Sequence, residues 1–389
     1  MRNRSALGAT LLAVVGAATV GCAGAYRLDE APLTLRRAPR AVLRLRWERP
    51  MARREFLDYK PQEWASAAVD PTSGILYAGS SAGRFLALRV DDGREVWAVQ
   101  TEAAISSQPL LLPRLHTVYF GADDGHLYAV DTRNGHVKWR YATEGTINRA
   151  PVFADGVLLF TSSEGRIYAI DARTGGWRWQ YDRESPEGFT IQGYAGVAVR
   201  GGTAYTGFAD GHLVAMKVHS GDVIWTRALS GKSQFNDVDA TPVLAGDLLL
   251  ATNYSGGLYG ISPENGSIRW QFPIEGASTP SVRGNSIFIA APKAGLIALD
   301  LSGHQRWRQA VARGVPARPL VVGPYVFLTG SESGLVAASA RDGELLQTFD
   351  PGHGISAPAQ AAGGTLTVIT DEGHLYAFQI APGQAVPSS

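Results

Sequence analysis

Few residues in this chain have the means to bind a metal or move a proton. His126, His212 and His374 recur in near-identical contexts, Gly-His-Leu-Tyr-Ala, Gly-His-Leu-Val-Ala and Gly-His-Leu-Tyr-Ala. Residues that repeat in this way are spread through a fold, whereas a tetrahedral metal site needs its ligands to converge. His136, His219 and His304 lie at or near glycine-containing turns. Asp123-Asp124 looks like a carboxylate pair, but Ser80-Ser81 and Ser162-Ser163 occupy the matching places, so the pair reads as turn chemistry. The sequence is read as carrying no Gly-x-Ser-x-Gly elbow, phosphate-binding glycine loop or Cys-x-x-Cys pair. No cofactor, metal or catalytic residue is expected. What remains is one cysteine, Cys22, and one unusual acidic run, Asn236-Asp237-Val238-Asp239.

Cys22 follows a short export-type segment. Arg2 and Arg4 open the chain, and the apolar, small-residue run from Ala6 to Val20 is too short for a membrane-spanning helix, which needs about 20 residues. A lone cysteine cannot form an internal disulfide. Its position resembles the lipobox of bacterial lipoproteins, although Thr19 stands where that pattern prefers leucine. The resemblance implies a signal peptide over 1–21, lipid attachment at Cys22 and a tether over 22–40. Ala23 in place of aspartate implies the outer membrane. The plainer alternative is ordinary cleavage that leaves a free thiol. Without residues 1–21 the chain has 34 basic and 35 acidic side chains, a balance that argues against a nucleic-acid partner. Arg36, Arg37, Arg40, Arg44 and Arg46 cluster after the cysteine. A solvated tether explains them most simply; contact with anionic headgroups is the alternative.

The elements that must position these residues come from internal repetition. Ala87, Ala129, Ala169, Ala215, Gly260, Ala298, Ala337 and Ala377 mark one place in eight related segments, spaced by 42, 40, 46, 45, 38, 39 and 40 residues. Around each mark the sequence alternates like a strand, then turns at Asp92-Gly93, Asn134-Gly135, Thr174-Gly175, Ser220-Gly221, Asn265-Gly266 or Asp342-Gly343. Two further strands precede that hairpin, one starting near a recurrent proline (Pro109, Pro151, Pro242, Pro280, Pro319, Pro358). Four strands per unit of about 40 residues is the signature of a propeller blade. The expectation is an all-β, eight-bladed propeller of antiparallel blades over 41–381, with a tail at 382–389.

Trp97, Trp139, Trp179, Trp225 and Trp270 lie ten residues after their marks, and Trp307 nine. Such regularity reads as packing between blades rather than as a ligand site. The eighth copy ends without its tryptophan, while Val42–Trp47 looks like the missing strand, with Trp47 forty residues before Ala87. The amino-terminal strand is therefore expected to close the ring and remove exposed edges. In the seventh unit Gln347 takes the tryptophan position, and Phe349 is expected to substitute.

Ala169 to Trp179 is similar to the repeat of quinoprotein-like propellers, and eight such units behind a lipoprotein signal resemble the BamB family of outer-membrane assembly factors. The resemblance covers about residues 41–381. It implies a non-enzymatic, lipid-anchored scaffold whose propeller lies in the periplasm, a monomer within a complex. The two longest spacings place extra residues in the connections 181–194 and 227–241, expected to lie side by side on one face. Asp237-Val238-Asp239-Ala240-Thr241-Pro242 resembles the family's Asp-Val-Asp-x-Thr-Pro segment, which implies that Asp237 and Asp239 contact a periplasmic domain of the BamA-type insertase. Phe189 and Ile191 are expected to be apolar anchors beside them. Gln192 stands where the family has arginine, which removes a charge-assisted contact. The bland alternative is solvated loop carboxylates.

Two other readings differ in class. A pyrroloquinoline-quinone dehydrogenase uses a related propeller, but such enzymes are longer, many carry a vicinal cysteine pair, and no calcium-type cluster is evident here. An envelope propeller binding another protein, a ligand or a cell-wall polymer should show exposed aromatics on one face.

Overall fold

The computed structural model describes residues 41–51, 63–183, 194–229, 237–311 and 314–382. They form eight four-stranded antiparallel sheets and a single turn of 3-10 helix, Pro113–Leu115. Blade 1 consists of Ala68–Asp70, Ile75–Ala78, Arg84–Arg89 and Glu95–Gln100. Blades 2 to 7 follow in chain order over 110–142, 152–182, 198–228, 243–272, 281–309 and 320–349. Blade 8 takes three strands from 360–380 and its fourth from Leu43–Pro50, which pairs with His374–Ile380. The expected closure by the amino-terminal strand is thus observed. The recurrent prolines stand just before the innermost strands, where a missing N–H costs no ladder bond.

No blade buries both faces alone. The core is accordingly divided into eight apolar clusters, one at each seam between neighbouring blades. At the seam between blades 3 and 4, Leu159, Ile167 and Trp179 meet Ala204, Val214 and Met216.

The spacing of mark residue and tryptophan has a direct structural cause: the two are cross-strand partners. Ala87 faces Trp97, Ala169 faces Trp179, and Ala377 faces Trp47 across the two ends of the chain. A bulge follows each mark, as between Ala169 and Ile170, which re-aims the ring across the seam. There the indole N–H donates to a carbonyl of the next blade: Trp47 to Val90 at 2.7 Å, Trp97 to Thr132 at 3.0 Å, Trp139 to Arg173 at 3.0 Å and Trp179 to Val218 at 2.8 Å. Trp225, Trp270 and Trp307 reach Pro263, Leu301 and Ala340 in the same way. The ring lies flat on the next blade's turn glycine. At Gly221, where φ is +75°, an added Cβ would sit 2.8 Å from the Trp179 ring. The turn glycine therefore serves both the left-handed backbone and the close approach of the indole.

The seventh seam departs from the pattern. Gln347 faces Ala337, but blade 8 has no connected turn at this place because the chain's two ends meet there. Its Oε1 instead accepts from the N–H groups of Val42 (2.7 Å) and Leu43 (2.8 Å), and its Nε2 donates to the Leu43 carbonyl (3.1 Å). Phe349 does not replace the missing tryptophan, contrary to expectation. It pairs with Leu335 and packs edge-on against Tyr376 and Phe378, with ring centroids 5.0 Å apart in both cases. An amide side chain suits this seam because the entering strand brings unpaired backbone donors rather than a glycine platform.

Charge is sorted by strand position. The fourth, outermost strands carry Arg44, Arg46, Arg49, Lys138, Arg140, Arg178, Arg227, Arg269, Arg306 and Arg308 against only Glu48, Glu95 and Asp182.

Candidate functional site: the loop face around Arg149

In each blade the connection to the next blade and the turn between the second and third strands emerge on the same face of the disc. That face repeats a wedge: Ile105, Ile147 and Val238 each press on a glycine ending a second strand, where an added Cβ at Gly79, Gly121 or Gly207 would sit 2.2–2.3 Å from the side chain. Each wedge stands four residues before Pro109, Pro151 or Pro242. Val238 and Pro242 are therefore repeat positions, and Asp237 and Asp239 replace Ala104 and Ser106 of one repeat and Thr146 and Asn148 of another.

The two aspartates differ. Asp237 is only 1% exposed, and its carbonyl accepts from the Tyr254 N–H at 3.1 Å, matching the Asp123 to Ala104 and Ser163 to Thr146 bonds elsewhere. Its side chain is packed inside the connection, whereas the resemblance implied a partner contact for both aspartates and the alternative a solvated pair. Asp239 is partly exposed. Burial raises its carboxyl above the usual range, partly opposed by the Arg149 guanidinium; the neighbouring Asp237 adds to the rise.

Arg149 ties three successive connections together. Its Nε donates to the Tyr194 carbonyl at 2.9 Å and its guanidinium to the Asp239 carbonyl at 3.1 Å, while its cation lies 5.8 Å from the Tyr194 ring centre. The Tyr194 hydroxyl accepts from the Asn148 N–H (3.2 Å) and donates to the Thr146 carbonyl (3.1 Å). Thr241 adds a further link, its hydroxyl accepting from the Gly196 N–H at 3.1 Å. The roots of the two long connections thus meet, as the spacing predicted. Phe189, Ile191 and Gln192 fall outside the described residues, as do Cys22 and the whole of 1–40.

Around this cluster carboxylates prevail. From blade 1 to blade 5 the described residues of this face include Glu102, Asp123, Asp124, Glu144, Glu164, Asp210 and Asp239, against Arg149 and Arg183. Arg183 is already held, its Nε donating to Asp210 at 2.7 Å. Asp123 and Asp124 prove to be turn groups: Asp123 accepts from the Ser106 hydroxyl (2.9 Å), and Asp124 from the His126 N–H (2.9 Å) and the Tyr128 hydroxyl (2.6 Å).

The repeated histidines stay apart, each beside its own carboxylate: His126 by Asp124, His212 by Asp210 and His374 by Glu48. No group of three metal-ligating side chains occurs among the described residues. Gly79-Ser80-Ser81-Ala82-Gly83 does have the spelling of a nucleophile elbow. It forms a strand-to-strand turn rather than a strand-to-helix turn, and both the Ser81 hydroxyl and N–H donate to Glu63. Sequence reasoning also passed over Trp64 and Trp177. These are the two tryptophans outside the repeat, and they are 52% and 61% exposed. Removing the repeat's seven tryptophans from the nine would have isolated them.

The family model described as outer membrane protein assembly factor BamB matches residues 54–146, 87–303 and 301–386. Among curated relatives bearing that name, the Shigella dysenteriae protein is 27% identical over 321 residues, covering 78% of this chain and 82% of its own. The Legionella pneumophila protein is 26% identical over 183 residues, and there the chain spans about half (47%) of the relative. The crystal structure of BamB from Moraxella catarrhalis is similar with a TM-score of 0.74 at 18% identity, covering 87% of this chain and 100% of that one. A quinohemoprotein alcohol dehydrogenase from Pseudomonas putida HK5 has the same architecture, with a TM-score of 0.69 at 15% identity over 89% of this chain and 78% of its own, so the fold alone does not choose between scaffold and enzyme. The family match runs through nearly all of the propeller: this chain belongs to the outer membrane protein assembly factor BamB family.

Proposed function

We propose that this protein is a non-catalytic scaffold of the outer-membrane β-barrel assembly machinery. In this reading Cys22 carries a lipid anchor in the outer membrane, the propeller hangs in the periplasm, and the loop face binds a periplasmic domain of the BamA-type insertase. The observation that carries the reading is the Arg149 cluster, which gathers the roots of both long connections around Asp239. Long connections on a rigid disc are where binding is usually built. Phe189, Ile191 and Gln192, on the first of them, would supply neighbouring contacts, with the lost arginine at 192 weakening that part.

Asp239 has the energetics of a binding group. Its raised pKa means that the ionised form is disfavoured in the folded protein, so it detracts from stability at neutral pH; that detraction vanishes as pH falls below the ordinary aspartate range. A cationic side chain from a partner would relieve it. Asp239→Asn should therefore leave the melting temperature unchanged or slightly higher while weakening capture of the insertase from cross-linked envelopes. Asp239→Arg should abolish capture. Undiminished capture by a folded Asp239→Arg protein would move the interface elsewhere, and failure of the wild type to capture any assembly component would sink the scaffold reading. Asp237 is unsuitable for this test because an arginine there would have to be buried.

A further inference from the structure

We propose that the outer edge of the eighth blade, centred on Arg44, Leu45 and Arg46, is a contact surface for an anionic lipid bilayer. The excess of basic side chains on the outermost strands needs a cause. Charges on exposed sheet edges protect against edge-to-edge pairing, but either sign does so. Edge protection therefore leaves the ten-to-three bias unexplained. Leu43–Pro50 carries three arginines, more than any other outer strand, against one carboxylate, Glu48.

The arginines are not equally available. Arg178 is committed to Asp171, Arg269 to Asp247, Arg49 to Glu95, and Arg308 to the carbonyls of Ala294 and Lys293. Arg44 is exposed and has no hydrogen-bond or ion-pair partner among the described residues. Arg46 is the bulged residue of its strand, bonded to neutral Thr365 and Gln379, with its nearest carboxylate, Asp91, at 3.9 Å. Between them Leu45 is 48% exposed. An unpaired guanidinium at Arg44, a second at Arg46 that meets neutral groups and a carboxylate only at 3.9 Å, and an exposed leucine on the same edge strand match a headgroup layer, where phosphates accept forked hydrogen bonds and an aliphatic side chain finds the acyl boundary. The segment bearing Cys22, with Arg36, Arg37 and Arg40 at its end, joins the propeller at Ala41, at the start of this strand. Clustered arginine beside an anchor site is the pattern that binds anionic membrane.

This assignment adds to the anchored-scaffold reading, and its test is independent of that reading. The protein starting at residue 22 and carrying Cys22→Ser, which bears neither an acyl group nor the apolar run before it, is sedimented with vesicles of phosphatidylethanolamine and phosphatidylglycerol, and separately with phosphatidylcholine vesicles. The expected result is salt-sensitive binding to the first only. Arg44→Glu should reduce it about fivefold or more and Arg44→Lys should largely keep it; Leu45→Ser should reduce it less. Arg178→Glu, on the opposite part of the rim, should leave it unchanged. Because Arg44 has no partner to lose, its variants should fold normally, which a melting curve confirms. Equal binding to both vesicle types, insensitivity to Arg44→Glu, or equal loss with Arg178→Glu would each overturn the proposal. Lipidation of Cys22, read by mass spectrometry on wild-type protein, stands or falls separately.

Discussion

The seam between blades 3 and 4 and the seam between blades 7 and 8 do the same task with different chemistry. At the first, Trp179 covers Gly221 and donates to Val218, so one side chain buries apolar area and satisfies a turn carbonyl. At the second, Gln347 covers no turn glycine and grips the backbone of Val42 and Leu43 instead. The contrast shows that the repeat's tryptophan is selected by the turn it meets. Where the neighbouring blade offers a continuous hairpin, an indole fits; where it offers a free chain end, an amide does.

The contrast can be broken from either side. Trp179→Ala removes a buried ring and leaves a void at an ordinary seam, so a loss of about 3–5 kcal/mol is expected, seen as a lower denaturant midpoint. Gln347→Ala strands two donors and an acceptor at the closing seam. About 1–3 kcal/mol should be lost, with faster hydrogen exchange at Val42 and Leu43 as the specific signature. Gln347→Trp should fail to restore either quantity; full restoration would show that the turn does not dictate the residue. A smaller effect concerns the turns themselves. Asp171 accepts from the N–H groups of Arg173 and Thr174, each at 3.0 Å. Its hydrogen bond with Arg178 depresses its pKa to about 2. A depressed carboxylate stabilises the fold above its unfolded pKa of about 3.9, and that contribution is lost as pH falls toward 2. Asp171→Asn should therefore lower stability modestly at pH 7, where that contribution is fully present, and by less and less as pH falls toward 2, which flattens the stability–pH profile in that window.

Much of the architecture was legible because mark residue and tryptophan are cross-strand partners, so a spacing in sequence reports a contact in space. The exchange at Gln347 was less legible. That a residue departed from the pattern could be read, but its new partners lie 304 and 305 positions away. The site followed the same rule. Asp237 and Asp239 look equivalent in sequence, and the matching Ala104 and Ser106 are both partly exposed, so only the packing of this connection separates the buried aspartate from the partly exposed one. Arg149 went unnoticed because its partners are backbone carbonyls, which leave no trace in residue type.

Closure by the strand Leu43–Pro50 also fixes an order of events. The first strand to emerge during synthesis or export is the last to find its place, since its partner His374–Ile380 is made at the other end of the chain. Seven blades can form from neighbouring segments, but the ring cannot lock until the whole chain has arrived. Until then one long strand and an open eighth blade wait unpaired. The protein is therefore most in need of protection in the interval just before its final residues are delivered, and truncation near Ile380 should cost the lock rather than a few local contacts.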